Sequence, residues 1–208
     1  MIRILCADIS SADESVYNCL YSKASVERKK QADRYLRRED KLRCVAADVL
    51  LRTVLGTKDF QIQKNESGKP YVKDYENFRY NLSHSGRYVV IAWGETEVGV
   101  DVQQHCTDLD MPAVAERCFT SDEQEYIGQS IQRFYDTWTG KESYLKYTGE
   151  GLRKDMRSFS IPNLEPAVQC LHCLPDTGYS LSLCTTDKEY TFALLDVRQL
   201  LYGERKCP

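Results

Sequence analysis

Two stretches with helical apolar spacing, one in each half of the chain, frame what it can fold into. In the first, Leu42, Val45, Ala46, Val49, Leu50 and the pair Val54-Leu55 recur at helical intervals, and Gly56 follows as a C-terminal cap. In the second, about Ile131 to Tyr147, Phe134, Tyr135, Trp138 and Leu145 form the inward face, and Gly149 and Gly151 break the pattern. Strand patterns surround both. Residues 2–9 read as a short strand. Tyr88 to Trp93 is an unbroken apolar run, as in a strand buried on both faces. Val98 to Gln103 alternates strictly and, joined to that run through Gly94-Glu95, predicts a β-hairpin. From Phe159 to Leu195 short strand-like pieces are separated by Pro162, Pro166 and Pro175. Strands plus one long helix in each half are compatible with a degenerate duplication.

Smaller signals fill the gaps. Residues 12–22 and the segment after Arg198 are expected to be helical. Asn65 to Pro70 and Asn81 to Gly86 read as polar turns. Thr120 and Glu123 fit a capping box that starts a further helix.

Charge is unevenly spread over the 208 residues. The chain as a whole carries a net charge of -3, yet between Arg28 and Arg52 nine basic side chains face four acidic ones, an excess of five. The plain reading is a solvated helical face; the sharper one is an edge that binds a small polyanion. The overall balance argues against broad coating of nucleic acid. No apolar run approaches the ~18 residues of a membrane span, and the opening apolar stretch is too short for a secretion signal. Nine cysteines are present, an odd number. With no secretion signal, mostly free thiols in a reducing cytoplasm are expected. Cys170 and Cys173 form a single CxxC pair around His172, and a structural zinc site ordinarily needs a second pair, so a strand is the better expectation there.

Three places carry residues suited to chemistry. On the alternating strand, Val98, Val100 and Val102 point one way, and Asp101 and Gln103 the other. An acid on such a strand is solvated at an edge, bonded to a neighbouring backbone, or holding a cation. On the second long helix Glu142 and Lys146 stand four residues apart, which suits a surface ion pair. Trp138, one turn before Glu142, argues against a freely solvated face. Gly140 is unfavourable by roughly 1 kcal/mol within a helix, which implies a close neighbour. Third, His84 lies between Ser83 and Ser85, either bonding locally or gripping an anion. A Ser-His-Asp hydrolase is the weaker alternative, since no Gly-x-Ser-x-Gly elbow is present.

Asn81-Leu82-Ser83-His84-Ser85-Gly86, then Val98-Gly99-Val100-Asp101-Val102, then Trp138 to Lys146 with Gly149-Glu150-Gly151-Leu152, resemble 4′-phosphopantetheinyl transferases in residues, order and spacing. The likeness is greatest to the two-lobed, surfactin-synthetase-activating type, and it extends over about residues 25–152. Gly68-Lys69-Pro70, Phe119 with Glu123, and the basic stretch from Arg28 add to it.

The resemblance implies transfer of the phosphopantetheine arm of coenzyme A to a serine of an apo acyl or peptidyl carrier protein, with release of 3′,5′-ADP and dependence on Mg²⁺. It implies that Asp101 and Glu142 bind the metal, with Gln103 beside them. Glu142, directly or through water, would be the base for the carrier serine, and Lys146 would contact the pyrophosphate. Ser83 and His84 resemble contacts to the coenzyme A phosphates, and Lys69 and Arg28 contacts to the phosphoadenosine end. The chain departs from near relatives at Gln103, where Glu is common, and at Gln31 and Cys44, where a basic residue and a hydroxyl stand. The expected fold is α+β: a pseudo-twofold pair of similar lobes, residues 1–103 and 104–208, each a small antiparallel sheet packed with a long helix. Both lobes lie in one chain, so a monomer is expected, in the cytoplasm, without a nucleic-acid or membrane partner. A non-catalytic binder of coenzyme A or carrier protein on the same fold is the rival reading.

Overall fold

The computed structural model describes residues 1–164, 167–171 and 173–202. In chain order the elements are β1 (Ile2–Asp8), α1 (Glu14–Lys23), α2 (Val26–Ala32), α3 (Arg38–Leu55), β2 (Ile62–Lys64), β3 (Pro70–Val72), β4 (Arg79–Ser85), β5 (Tyr88–Gly94), β6 (Val98–Gln104), α4 (Met111–Cys118), α5 (Ser121–Ile127), α6 (Ile131–Thr148), β7 (Val168–Cys170), β8 (Tyr179–Thr185) and β9 (Tyr190–Asp196). Short 3-10 turns follow α6, and another, Val197–Tyr202, follows β9. The result is the expected α+β architecture. Two sheets are each covered by one 18-residue helix, α3 on the first and α6 on the second.

Both helices end as their glycines predict. Gly56 and Gly149 adopt left-handed φ values of 68° and 76°, and each returns its N–H to a carbonyl of the last turn. The capping box at α5 is complete: Thr120 N donates to Glu123 Oε2 at 2.9 Å, and Glu123 N donates to Thr120 Oγ1 at 3.4 Å.

The first sheet has the order β4-β5-β1-β9, the second β6-β8-β7, and β2 with β3 forms a separate hairpin. All pairings are antiparallel except β1 with β9, where a strand from late in the chain lies parallel to the first one.

Two local expectations are corrected. Residues 81–85 are not a turn but strand β4, and the turn is only Gly86-Arg87, with Ser85 opposite Tyr88. The polar residues that suggested a loop occupy alternate positions, and their side chains bond to a neighbouring strand rather than to water. Nor do β5 and β6 form a hairpin. β6 pairs with β8, and its valines stack on β5 face to face.

That stacking makes the central core. Val98, Val100 and Val102, at most 1% exposed, pack with Tyr88, Val90 and Ala92 of β5, Ile2, Ile4 and Cys6 of β1, and Leu181 and Leu183 of β8. Each buried valine contributes about 1.5–3 kcal/mol. The opposite face of the first sheet, with Leu5, Val89 and Ile91, packs on Val45, Val49 and Leu50 of α3. The layers therefore run helix, sheet, sheet, helix.

The outer face of β6 meets α6, and here size matters more than apolarity. A Cβ on Gly99 would collide with the Ser143 carbonyl oxygen and the Tyr147 amide, both backbone atoms of α6. Gly140 permits a second close approach, by Ile161 and Val168, as its helical position implied. Gly99→Ala is expected to destabilise the protein by about 1–3 kcal/mol, as overpacking does. Because α6 must retreat from β6, activity should fall too. A melting temperature equal to wild type would show that the contact yields freely.

Candidate active site

Three elements converge on one point: β4, β6 and α6. β4 lies along the free edge of β6 without backbone pairing. Its alternate side chains accept the β6 amides instead. Val100 N donates to Asn81 Oδ1 at 2.9 Å, Val102 N to Ser83 Oγ at 3.2 Å, and Gln104 N to Ser85 Oγ at 3.0 Å. Asp101 sits between the first two, 7% exposed and on the side away from the valine core. The close approach at Gly99 brings α6 near enough for Lys146 to reach the same point.

There the groups form a closed network. Ser83 Oγ donates its single proton to Asp101 Oδ1 at 2.7 Å. Lys146 Nζ donates to Asp101 Oδ1 at 2.7 Å, Ser83 Oγ at 3.0 Å and Val100 O at 3.2 Å. So the i, i+4 pair of Glu142 and Lys146 is not what forms; the lysine crosses to the acid of β6. Glu142 is half-buried, and among the described residues no hydrogen bond or ion pair of its carboxyl is found. Burial pushes that carboxyl above the usual range, the Asp101 carboxylate pushes it further, and Lys146 partly offsets both. Asp101 and Glu142 are thus neighbours in an electrostatic sense, with Lys146 bonded to the first only.

His84 alternates to the other side of β4 from Ser83. Its pKa lies below the ordinary value, through desolvation and then through the cations of Arg43, Lys146 and Arg28. Arg43 Nη1 donates to Gly86 O at 2.8 Å, at the turn beside His84. Arg28 Nη1 donates to Gln31 Oε1 at 3.0 Å. Cationic groups from α2, α3 and α6 therefore act on one histidine, which suits an anion, while Arg43 also pairs with Asp40 at 2.6 Å and Arg28 faces Asp48 at 4.0 Å. Because the Ser83 proton goes to Asp101, the serine and histidine do not form a nucleophile-base pair.

Other predicted residues stand apart. Lys69 is nearly buried, and its ammonium donates to Glu97, to Val98 O at 2.8 Å and to Tyr147 O at 3.0 Å. It ties the β2–β3 turn to the start of β6 and the end of α6. Gln103 lies beyond Asp101 on the same face of β6, its amide donating to Gln104 O at 3.1 Å. Cys44 is buried behind Arg28, and burial raises its thiol pKa. Cys170 ends β7, while His172 of the CxxC segment lies outside the described residues. Among the described residues no group of three metal-binding side chains is found, and every cysteine is a free thiol.

Comparisons with known proteins bear on the chain as a whole. The 4′-phosphopantetheinyl transferase superfamily model matches residues 97–195, which include β6 and α6, and the model of the N-terminal part of such transferases matches residues 11–96. The 4′-phosphopantetheinyl transferase psf-1 of Bacillus pumilus is 31% identical over 185 residues, 77% of this chain and 78% of that protein. The transferase gsp of Aneurinibacillus migulanus is 32% identical over 175 residues, 77% and 71% of the two chains. Sfp of Bacillus subtilis (strain 168) is 28% identical over 191 residues, 80% and 84%.

The chain belongs to the 4′-phosphopantetheinyl transferase superfamily.

As a phosphopantetheinyl transferase it moves the phosphopantetheine arm of coenzyme A to carrier proteins. The chemistry is attack of a hydroxyl on one phosphorus of a pyrophosphate, and it calls for positioning and charge neutralisation more than for covalent catalysis. The basic side chains of this transferase suit that demand.

Sequence reasoning missed three features of the surroundings: Arg43, the pair of acceptors on β4, and a buried lysine. Arg43 stood among nine cations with nothing to single it out. The acceptors Asn81 and Ser85 left a readable trace, polar residues at every second position. The third is Lys141, beside Glu142. It is fully buried and donates to Glu123 Oε2 at 2.8 Å, Met156 O at 2.7 Å and Phe159 O at 2.6 Å. Its partner Glu123 was visible as a capping residue and in the family likeness, but not as the counter-ion of a buried lysine.

Proposed function

We propose that this transferase is Mg²⁺-dependent, with Asp101, Glu142 and Gln103 holding the ion and Glu142 accepting the proton of the carrier serine. The observation that carries this reading is the buried Asp101 beside the half-buried Glu142 at the β6–α6 junction, where burial first and the Asp101 charge second push the Glu142 carboxyl up. Two carboxylates and an amide oxygen are hard donors, few enough to leave room for water and phosphate oxygens, which fits Mg²⁺. When bound, the ion supplies positive charge for the pyrophosphate.

This chain's own groups do the rest. Glu142 orients the serine hydroxyl and takes its proton as the new P–O bond forms. Lys146 faces the pyrophosphate, whose bridging P–O bond breaks, and neutralises the departing 3′,5′-ADP. His84 and Ser83 contact the phosphates of coenzyme A and Arg28 the phosphoadenosine end, with Arg43 adding charge. Lys69, expected at the phosphoadenosine end, instead has all three ammonium protons taken by Glu97, Val98 O and Tyr147 O and anchors the β2–β3 turn. The lobes are expected to divide near residue 103, but β6 already pairs with β8 of the second sheet and β9 returns to β1 of the first, so the site lies where β4 of the first sheet meets β6 and α6. A monomer in a reducing cytoplasm fits a site built from one chain and the free thiols. A carrier protein is the macromolecular partner, with no nucleic acid or membrane involved.

The test is to mix the protein with apo carrier protein, coenzyme A and Mg²⁺ and to read the carrier's intact mass. A phosphopantetheine adduct is expected with wild type, and none after chelation or with Asp101→Ala. An undiminished adduct in either case removes the metal site from this reading. Gln103→Glu adds a negative charge, so half-maximal activity should be reached at lower Mg²⁺; an unchanged Mg²⁺ dependence removes Gln103 from the site.

A further inference from the structure

The ammonium of Lys146 has three protons, and all three are engaged: by Asp101 Oδ1, by Ser83 Oγ and by the Val100 carbonyl. Ser83 in turn gives its only proton to the same Asp101 oxygen. The acid of β6 is therefore already neutralised by a resident cation, and no proton of that cation is left for a phosphate. A divalent ion at Asp101 would meet a positive charge 2.7 Å from the carboxylate oxygen. A pyrophosphate at Lys146 would have to draw the lysine away from Asp101. Each ligand removes the obstacle to the other.

We infer that Lys146 is a stand-in cation, seated on Asp101 until coenzyme A draws it off, so that it makes metal and coenzyme A load together. The inference rests on the metal reading above and goes beyond it, since it assigns the lysine a second position. The side chain is long and partly exposed, 28% by area, and can swing without unfolding the helix. Linkage makes the effect reciprocal: coenzyme A tightens metal binding by the same factor that metal tightens coenzyme A.

Calorimetric titration of Mn²⁺ into the whole protein tests this without catalysis, because no carrier is present. For wild type, Mn²⁺ alone should bind weakly and should bind at least ~5-fold tighter once coenzyme A is added. Lys146→Gln should bind Mn²⁺ alone at least ~5-fold tighter than wild type and lose most of the gain from coenzyme A. Lys154→Gln removes an equal charge that pairs with Glu150 instead, and should behave as wild type. Should Lys146→Gln fail to melt cooperatively, Ser83→Ala, which takes away one acceptor of the ammonium, should tighten Mn²⁺ alone in the same direction. If Lys146→Gln binds Mn²⁺ no tighter than wild type, or Lys154→Gln tightens it equally, the stand-in role is wrong while the metal site survives. If wild type binds no Mn²⁺ with or without coenzyme A, the metal site itself fails; the carrier-mass assay reports separately on transfer.

Discussion

Glu142→Gln should lower the rate of arm transfer by about 10²–10⁴-fold, the range over which a positioned general base contributes. The same variant should melt no lower than wild type. The folded chain raises the pKa of this carboxyl through burial and through Asp101, so at neutral pH its ionised form counts against the fold. Gln keeps the shape and removes the charge. Loss of activity with equal or higher stability is the pattern expected of a residue held for chemistry. It is read by carrier mass against time together with a thermal melt. Retained activity would refute the role of Glu142, and a sharply lowered melting temperature would make it a structural residue.

Lys141→Met should do the opposite and strike stability first. The lysine is fully buried, and burial pushes its ammonium below the ordinary lysine range while Glu123 pulls it back. Met fills similar space but strips Glu123 of its counter-ion and leaves the carbonyls of Met156 and Phe159 without a donor. Breaking a buried pair by removing one partner costs about 3–5 kcal/mol. In a protein of this size that is a fall of ~6–20 °C in Tm. Adding Glu123→Gln to Lys141→Met should recover part of the loss, since no uncompensated charge then remains. A single variant that melts within about 2 °C of wild type would show that the pair is dispensable. The pair also joins α5, α6 and the turns after α6, so the capping residue of one helix fixes the helix that carries Glu142.

Where local rules decide a structure, this chain was legible. The spacing of Leu42 to Leu55 and of Phe134 to Leu145, each closed by glycine, gave α3 and α6 nearly to their ends. The alternation of Val98, Val100 and Val102 placed Asp101 on the correct side of β6. The errors fall where a neighbour is distant in sequence. Ser83 and Ser85 read as loop residues because the amides that need them belong to β6. β5 and β6 are adjacent in sequence and read as a hairpin, yet β6 finds its ladder at Tyr179 to Thr185. Lys146 offered an obvious partner one turn away and took another from a different strand. Side-chain spacing describes one element at a time. It does not contain the contacts by which elements meet, and this site consists of such contacts.

The parallel pairing of β1 with β9 bears on how the protein is made. Ile2 finds Tyr190 and Asp8 finds Asp196 across nearly the whole described chain. When the first strands leave the ribosome, the edge that β9 will cover is still bare. The β1 face cannot close as an early unit while the second sheet is being synthesised. It must wait for β9, a long-range closure that slows folding and leaves a strand edge open to other chains meanwhile. Truncations that remove β9 would therefore reach the first sheet before they reached the residues of the site.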